Sequence, residues 1–302
     1  MSERSIFSNL VRQADGAFSA IYGPYLLQSA LQPIFAERPD GRLQIAVLKG
    51  LIRASSHGTP CSPTDFFQSV PEDERVAVDG LCRSLHILNA GALGRRDVSL
   101  IVNFHPGLYL TPQAVRQEVE RLRLAAHEAE LPPERIACEI REHAYDDREV
   151  LAGFAARLHE GGFSIAIDEY TGEDRDLERL ERFAPQFVTF DTAWLHGFVE
   201  NSAGLALLRV LNGQFSHKKI RTIVAGIEEP EMIALCRDMG GPLMQGYLLS
   251  RPELAPTSFN LTFPELEEDM AQPVLEPAGA GGFLPVEIRA TRPVRQFGKR
   301  GA

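Results

Sequence analysis

The apolar positions in the second two thirds of the chain fall into short continuous runs rather than alternating ones. Such runs are typical of parallel strands that are buried on both faces. They predict strands at Ser99–Phe104, Ile136–Ile140, Ser164–Asp168, Phe187–Asp191, Arg221–Ala225 and Leu243–Leu248. Before and between these strands, apolar residues recur at helical spacing, most clearly over 64–91, 111–130 and 147–160.

The beginning of the chain has a different pattern. Two strand-like runs, Gln32–Phe35 and Leu43–Arg53, flank an Arg38-Pro39-Asp40-Gly41 turn, which predicts an antiparallel hairpin. Residues 1–30 carry apolar Ile6, Leu10, Val11 and Phe18 at loosely helical spacing, which predicts a helical lead-in.

This order of elements predicts an α/β fold with eight strands, six of which are each preceded by a helix. Eight strands in about 220 residues favour a closed (β/α)₈ barrel, with an open doubly wound sheet as the alternative. We assign the barrel to residues 31–265. Residues 266–302 are rich in Pro, Gly and Ala, end in a basic stretch, and are predicted to be a disordered tail.

Composition narrows the class of protein. The 302-residue chain is 44% hydrophobic and 24% charged, with a net charge of −10, which argues against binding to nucleic-acid polymers. The four cysteines contain no C-x-x-C pair, and no apolar run is long enough to span a membrane. A cytoplasmic location with reduced thiols is therefore expected.

Polar residues stand at the carboxyl ends of several predicted strands, where barrel enzymes place their chemistry. These residues are Asn103, Glu139, Asp168, Glu169, Asp191 and Gln245. Each alone is compatible with a helix cap or a loop contact. Together their carboxylate and amide oxygens suit Mg²⁺, Mn²⁺ or Ca²⁺, and such an ion could activate water for phosphodiester attack. His105 and His143 follow two of these strand ends and could also approach the rim.

Several segments resemble motifs of the EAL domain family, the cyclic di-GMP phosphodiesterases. Gln32-Pro33-Ile34 resembles the family's opening QPI, and Gln245–Pro252 is nearly identical to its closing Q-G-Y-L-F-S-R-P. The segments between them that resemble family motifs in the same order are Val102-Asn103, Glu139–Glu142, Ala166–Tyr170 and Thr189–Asp191. The resemblance covers residues 31–252 and implies a barrel of the EAL type.

The chain departs from the family pattern at positions that the resemblance links to catalysis. The metal-binding glutamate of Glu-Ala-Leu is replaced in Lys49-Gly50-Leu51, and the lysine that positions water is Thr189. The second aspartate of the D-D pair is Glu169, the first glutamate of A-E-G-V-E is missing before Gly226, and the loop after Asp168 is one residue short.

An ammonium at position 49 opposes metal binding. A dication about 4 Å away would be repelled by roughly 8 kcal/mol at an effective dielectric of 20. We therefore expect Lys49 to lie beside Glu139 or Asp168 as their counter-charge. The metal site, with ligands Asn103, Glu139, Asp168, Asp191 and Glu169, is then expected to be vestigial and weak or empty. No cofactor is required, and Mg²⁺ or Mn²⁺ would serve only a residual activity.

The residues that resemble ligand contacts of the family are better preserved. The resemblance implies that Gln32 and Arg53 hold cyclic di-GMP, and that Asp168, Gln245, Ser250 and Pro252 lie around it. The first hypothesis is a catalytically degenerate EAL protein that acts as a cyclic di-GMP receptor or as a regulator of a protein partner. The alternatives are a weak phosphodiesterase that uses Glu169 and yields the linear dinucleotide, and a protein-interaction module without a nucleotide site.

Overall fold

A computed structural model describes residues 9–109, 111–140, 148–199 and 202–265. The strands are β1 (Leu10–Arg12), β2 (Phe18–Tyr22), β3 (Tyr25–Glu37), β4 (Leu43–Ser56), β5 (Thr59–Cys61), β6 (Ser99–Phe104), β7 (Ile136–Ile140), β8 (Ser164–Tyr170), β9 (Phe187–Phe190), β10 (Arg221–Val224), β11 (Leu243–Met244) and β12 (Glu253–Leu254). The helices are α1 (Pro63–Ser69), α2 (Arg75–Ala92), α3 (Pro112–Glu128), α4 (Arg148–Glu160), α5 (Asp174–Phe183), α6 (Thr192–Val199), α7 (Ser202–His217), α8 (Pro230–Asp238) and α9 (Phe259–Thr262).

Eight of these strands form a closed barrel in the order β3-β11-β10-β9-β8-β7-β6-β4, and β4 pairs back to β3. The strands from β4 through β6 to β11 are parallel, whereas β3 runs antiparallel to both of its barrel neighbours. The mixed closed barrel confirms the predicted fold class and excludes the open sheet. The predicted hairpin is confirmed as well, with Gln32 directly opposite Lys49 in the β3–β4 register.

The continuous apolar runs form barrel strands whose two faces are both buried, one against the helices and the other inside the barrel. One set of side chains packs outward against the helices, as Val102, Ile140, Ile165 and Val188 do. The other set meets inside the barrel in a small apolar layer. A strand that is buried on both faces needs no polar alternation, which is why the runs read as continuous.

The predicted helical lead-in is wrong for the residues that the structure describes. β1 and β2 form an antiparallel pair there, with Val11 opposite Ser19, and β2 continues onto β3. An Asp15-Gly16 turn divides the segment, with Gly16 at φ +87° and a hydrogen bond of 3.0 Å from its N–H to the Gln13 carbonyl. The helical reading connected apolar positions across this turn, whereas a D-G pair between two short runs is a hairpin signal.

Two other boundaries differ from the prediction. The helical stretch predicted over 64–91 is two helices, α1 and α2, because Pro71 and a 3₁₀ turn over Glu72–Glu74 interrupt it. The strand predicted over 243–248 ends at Met244, since Gly246 packs directly on the Ile227 backbone. The described helices are all too short or too polar to cross a membrane.

β3 and β4 continue beyond the barrel mouth and form a small antiparallel sheet with β1, β2 and β5. One face of this sheet packs against α1 and α2 through Leu27, Ile52, Phe66, Leu81 and Leu85. The other face continues the interior surface of the barrel. Arg53 is four residues after Lys49 in β4, and alternate residues of a strand share a face, so both lie on this side. The extension thus forms a wall beside the mouth.

Candidate functional site

A ring of residues that are polar except for Ala225 lies one layer above the apolar floor of the barrel. The floor includes Ile34, Val47, Ile101, Ala137, Ala166, Phe187, Ile223 and Leu243. Alternate residues of a strand point to the same side, so the next inward positions toward the mouth follow directly. They are Gln32, Lys49, Asn103, Glu139, Asp168, Thr189, Ala225 and Gln245. Most of the residues selected from the sequence therefore belong to one layer.

Three of these side chains form an ionic cluster, which we name the mouth cluster: Lys49, Glu139 and Asp168. Lys49 Nζ lies 2.7 Å from Glu139 Oε2 and 3.4 Å from Asp168 Oδ2. The Glu139 side chain is fully buried, and those of Lys49 and Asp168 are 12% and 19% exposed. The prediction that Lys49 lies beside Glu139 or Asp168 is confirmed.

Asn103 is a neighbour of the mouth cluster, since it lies opposite Glu139 in the β6–β7 register. Its side-chain oxygen is buried and has no hydrogen-bond partner among the described residues. A buried acceptor without a donor is costly, so this oxygen marks a position where a ligand could donate a hydrogen bond.

Two of the predicted metal ligands, Asp191 and Glu169, have side-chain surroundings that differ from those of the mouth cluster. Asp191 Oδ1 accepts a hydrogen bond of 2.7 Å from the Trp194 N–H and so caps α6. Glu169 is exposed and has the left-handed backbone conformation, with φ +58°. Within the described part of the chain, neither side chain has a hydrogen bond or ion pair to the mouth cluster.

The residues of the mouth do not fit the divalent ion that the sequence resemblance implies. Carboxylate oxygens are present, but the Lys49 ammonium lies within bonding distance of both carboxylates and would repel a dication. In the described residues, no group of three or more His, Cys, Asp or Glu side chains is arranged to hold a metal ion. No step that depends on a metal can therefore be assigned to this site.

A cavity of about 580 Å³ lies beside the mouth, between the β4 and β6 ends and helices α1 and α2. Its lining includes Arg53, Phe67, His86, Asn103 and His105. The Phe67 and His105 rings are 6.0 Å apart and meet edge to face. A partly apolar cavity of this size with a few polar groups is typical of a small-molecule site.

Arg53 is exposed at this cavity, and its Nη1 donates a hydrogen bond of 3.0 Å to the Ile52 carbonyl. Among the described residues it forms no ion pair with an acid. Most of its donors thus remain available for an anionic or polar ligand.

The closing motif has mainly backbone contacts. Ser250 Oγ donates to the Arg251 carbonyl at 3.1 Å, and the Gln245 N–H donates to the Val224 carbonyl at 2.9 Å. Half-buried Pro252 precedes β12, whose Glu253 pairs with Leu31 of β3. These contacts attach the end of the domain beside Gln32.

The loop after Asp168 is held by Asp176, a residue that the sequence reasoning did not select. Asp176 Oδ2 accepts hydrogen bonds from the N–H groups of Thr171 and Gly172 at 2.7 and 3.1 Å. Arg179 joins this carboxylate to the Asp168 carbonyl. Arg141, Glu142 and His143 lie outside the described residues, as does the predicted tail at 266–302.

Sequence reasoning also missed a buried arginine below the cavity. Arg83 is 2% exposed and contacts Asp79, Tyr109 and Glu118, with Nη2 at 2.6 Å from Glu118 Oε1. Burial opposes its charge, but Asp79 and Glu118 together raise the pKa of Arg83 well above its usual value. Its Nη1 also donates to the Asn103 carbonyl at 3.3 Å, so this cluster supports the rim.

His86 explains a second departure from the family motif. Its Nδ1 lies 2.7 Å from Ser29 Oγ, and burial, followed by the charges of Arg83 and Arg53, lowers the pKa of His86 to about 3. A Cβ at Gly50 would lie 2.6 Å from Cγ of this ring. Gly50 therefore makes room for a neutral histidine where an alanine would clash.

This contact gives a stability prediction. Gly50→Ala should lower the free energy of unfolding by about 1–3 kcal/mol, because the ring is packed and cannot retreat freely. In the His86→Ala background the same change should cost much less, since the clash is gone. Urea unfolding of the two single variants and the double variant measures this coupling. Additive effects would contradict the proposed contact.

The fold and the site together define a class of protein: a closed mixed barrel with a polar mouth and an adjoining cavity. The family model of the EAL domain matches residues 27–252. The chain therefore belongs to the EAL domain family.

Named relatives agree with this assignment. The chain is 27% identical over 153 residues to the probable cyclic di-GMP phosphodiesterase PdeA of Escherichia coli (strain K12). This match covers 50% of this chain and 20% of PdeA. The calcium and cyclic di-GMP complex of BlrP1 from Klebsiella pneumoniae matches at 28% identity with a TM-score of 0.60, over 76% of this chain and 56% of that one.

The EAL domain of FimX from Xanthomonas citri, solved with cyclic di-GMP, shares the fold. Its TM-score is 0.63 at 15% identity, over 75% of this chain and 88% of that one. The chain spans only about a fifth of PdeA and just over half of the BlrP1 chain. It is an EAL-domain protein related to cyclic di-GMP phosphodiesterases.

Proposed function

We propose that this protein binds cyclic di-GMP without turning it over and acts as a receptor or regulator in cyclic di-GMP signalling. The observation that carries the proposal is the mouth cluster, in which Lys49 bonds to both Glu139 and Asp168. This ammonium stands where the family motif has its metal-binding glutamate. The relatives in complex with cyclic di-GMP support the choice of ligand.

The retained residues around the mouth support binding. Arg53 presents its guanidinium at the cavity, where it can donate paired hydrogen bonds to a phosphate or a guanine edge. The acceptor of Asn103 is buried nearby without a partner among the described residues. Gln32 lies opposite Lys49, on the side of the barrel that leads to Arg53.

We expect no appreciable conversion of cyclic di-GMP to its linear dinucleotide in the presence of Mg²⁺ or Mn²⁺. Lys49 opposes the metal, and Thr189 replaces the family's water-positioning lysine with a short side chain that is 6% exposed. Incubation at micromolar protein followed by chromatographic analysis of nucleotides measures the conversion. Stoichiometric turnover within minutes would instead support the weak phosphodiesterase.

Direct titration of the purified protein with cyclic di-GMP tests the receptor proposal. Binding with intact nucleotide recovered from the complex is the expected result. No binding by calorimetry or by equilibrium dialysis would overturn it.

A second candidate is a module that binds a protein partner, and it has an observation of its own. In the sheet that forms the wall beside the mouth, β1, β2 and β3 carry Val11, Ile21 and Leu26 on one face, and these side chains are 42%, 56% and 38% exposed. Exposed apolar side chains that are grouped in this way are common at interaction surfaces. This candidate replaces the receptor if cyclic di-GMP does not bind.

A further inference from the structure

The acids of the mouth and their lysine suggest how the site works without a metal. A glutamate with a bound dication carries a net charge of plus one, and so does a lysine ammonium. Lys49 without a metal therefore places the same net charge beside Glu139 and Asp168 as that glutamate would with its bound dication. A neutral residue at position 49 would remove the ammonium that contacts both carboxylates.

We infer that Lys49 is a built-in substitute for the divalent cation, which fixes the mouth in the charge state of a metal-loaded site. The geometry supports this role, since Nζ contacts one oxygen of each acid at 2.7 and 3.4 Å. A negative charge on the fully buried Glu139 is shielded from water and bulk salt, so a fixed cation such as Lys49 stabilises it.

The position of Lys49 in the fold makes the substitution permanent. The residue lies in the middle of β4, is bonded on both sides by β3 and β6, and its side chain is only 12% exposed. An ammonium that is held in this way cannot leave as an ion can. If the proposed function holds, an anionic phosphodiester would meet the same net charge whether or not Mg²⁺, Mn²⁺ or Ca²⁺ is in solution.

The inference can be tested with Mn²⁺ alone, in the absence of any nucleotide. Lys49→Glu should bind a single Mn²⁺ at least about tenfold more tightly than the wild type, because it removes the repelling charge and adds a carboxylate. Lys218→Glu is the matched control, since it makes the same charge change at an exposed position after α7 and should bind Mn²⁺ as the wild type does. Calorimetry and Mn²⁺ electron paramagnetic resonance measure the binding.

A thermal shift gives a second readout. Lys49→Glu should melt below the wild type without metal and recover with Mn²⁺, whereas the wild type and Lys218→Glu should show no Mn²⁺-dependent rise. If Lys49→Glu does not fold, Lys49→Gln decides, and it too should bind Mn²⁺ more tightly than the wild type. Equal Mn²⁺ affinity in the wild type and the folded position-49 variant would overturn the inference.

A nucleotide arm separates this inference from the proposed function. Cyclic di-GMP binding by the wild type should be the same in EDTA and in Mg²⁺, and loss of binding in EDTA would overturn metal independence. If cyclic di-GMP does not bind under either condition, the receptor proposal fails, while the Mn²⁺ titration still decides the role of Lys49.

Discussion

Arg83→Met is expected to lower the free energy of unfolding by about 3–5 kcal/mol. The reason is that Asp79, at 3% exposure, would lose the cation it bonds to, and Glu118, at 1% exposure, would keep only its ion pair with Arg121. The substitution would also remove the guanidinium from above the Phe104 ring, where it lies 3.8 Å from the ring centre. Denaturant unfolding followed by circular dichroism measures the change.

Arg123→Met provides the matched control. Arg123 pairs with Glu120 at 3.5 Å on the exposed side of α3, where both side chains are more than half exposed. An exposed pair of this kind contributes at most about 1 kcal/mol, so the control should unfold nearly as the wild type does. Similar losses for the two variants would show that the Arg83 cluster is not a buried, mutually dependent group.

Arg53→Ala is expected to weaken cyclic di-GMP binding about 10- to 100-fold. A charged hydrogen bond that is lost from a ligand costs roughly 1.5–3 kcal/mol, because the acceptor on the ligand is left without its donor. The structure favours a ligand role, since the described hydrogen bond of Arg53 is to its neighbour's carbonyl rather than to an acid. Calorimetric titration of the variant measures the affinity.

Arg42→Ala is the control for this substitution, as Arg42 is an exposed arginine in the turn at the opposite end of β4. It should bind cyclic di-GMP as the wild type does. Melting curves of both variants separate affinity from folding. A lower melting temperature for Arg53→Ala, with unchanged affinity per folded molecule, would show that Arg53 is structural.

The sequence determined most of the barrel and the composition of its mouth. Continuous apolar runs marked the barrel strands because burial on both faces leaves a local pattern. Residues at the carboxyl ends of those strands then had to meet, since parallel strands end at the same rim. Glu139 and Asp168 could be grouped in this way from the sequence, whereas Lys49, in the middle of β4, was placed beside them by the resemblance of Lys49-Gly50-Leu51 to the family's Glu-Ala-Leu.

Only the tertiary structure decided the features that depend on distant pairing. The Asp15-Gly16 pair was a local signal for the β1–β2 hairpin, but only the pairing of β2 with β3 shows that this hairpin joins the sheet. Gly50 and His86 meet because α2 packs across β4, and Arg83 finds Glu118 because α2 packs on α3. Local periodicity reports which face of an element is buried, but not which side chain of another element it will touch.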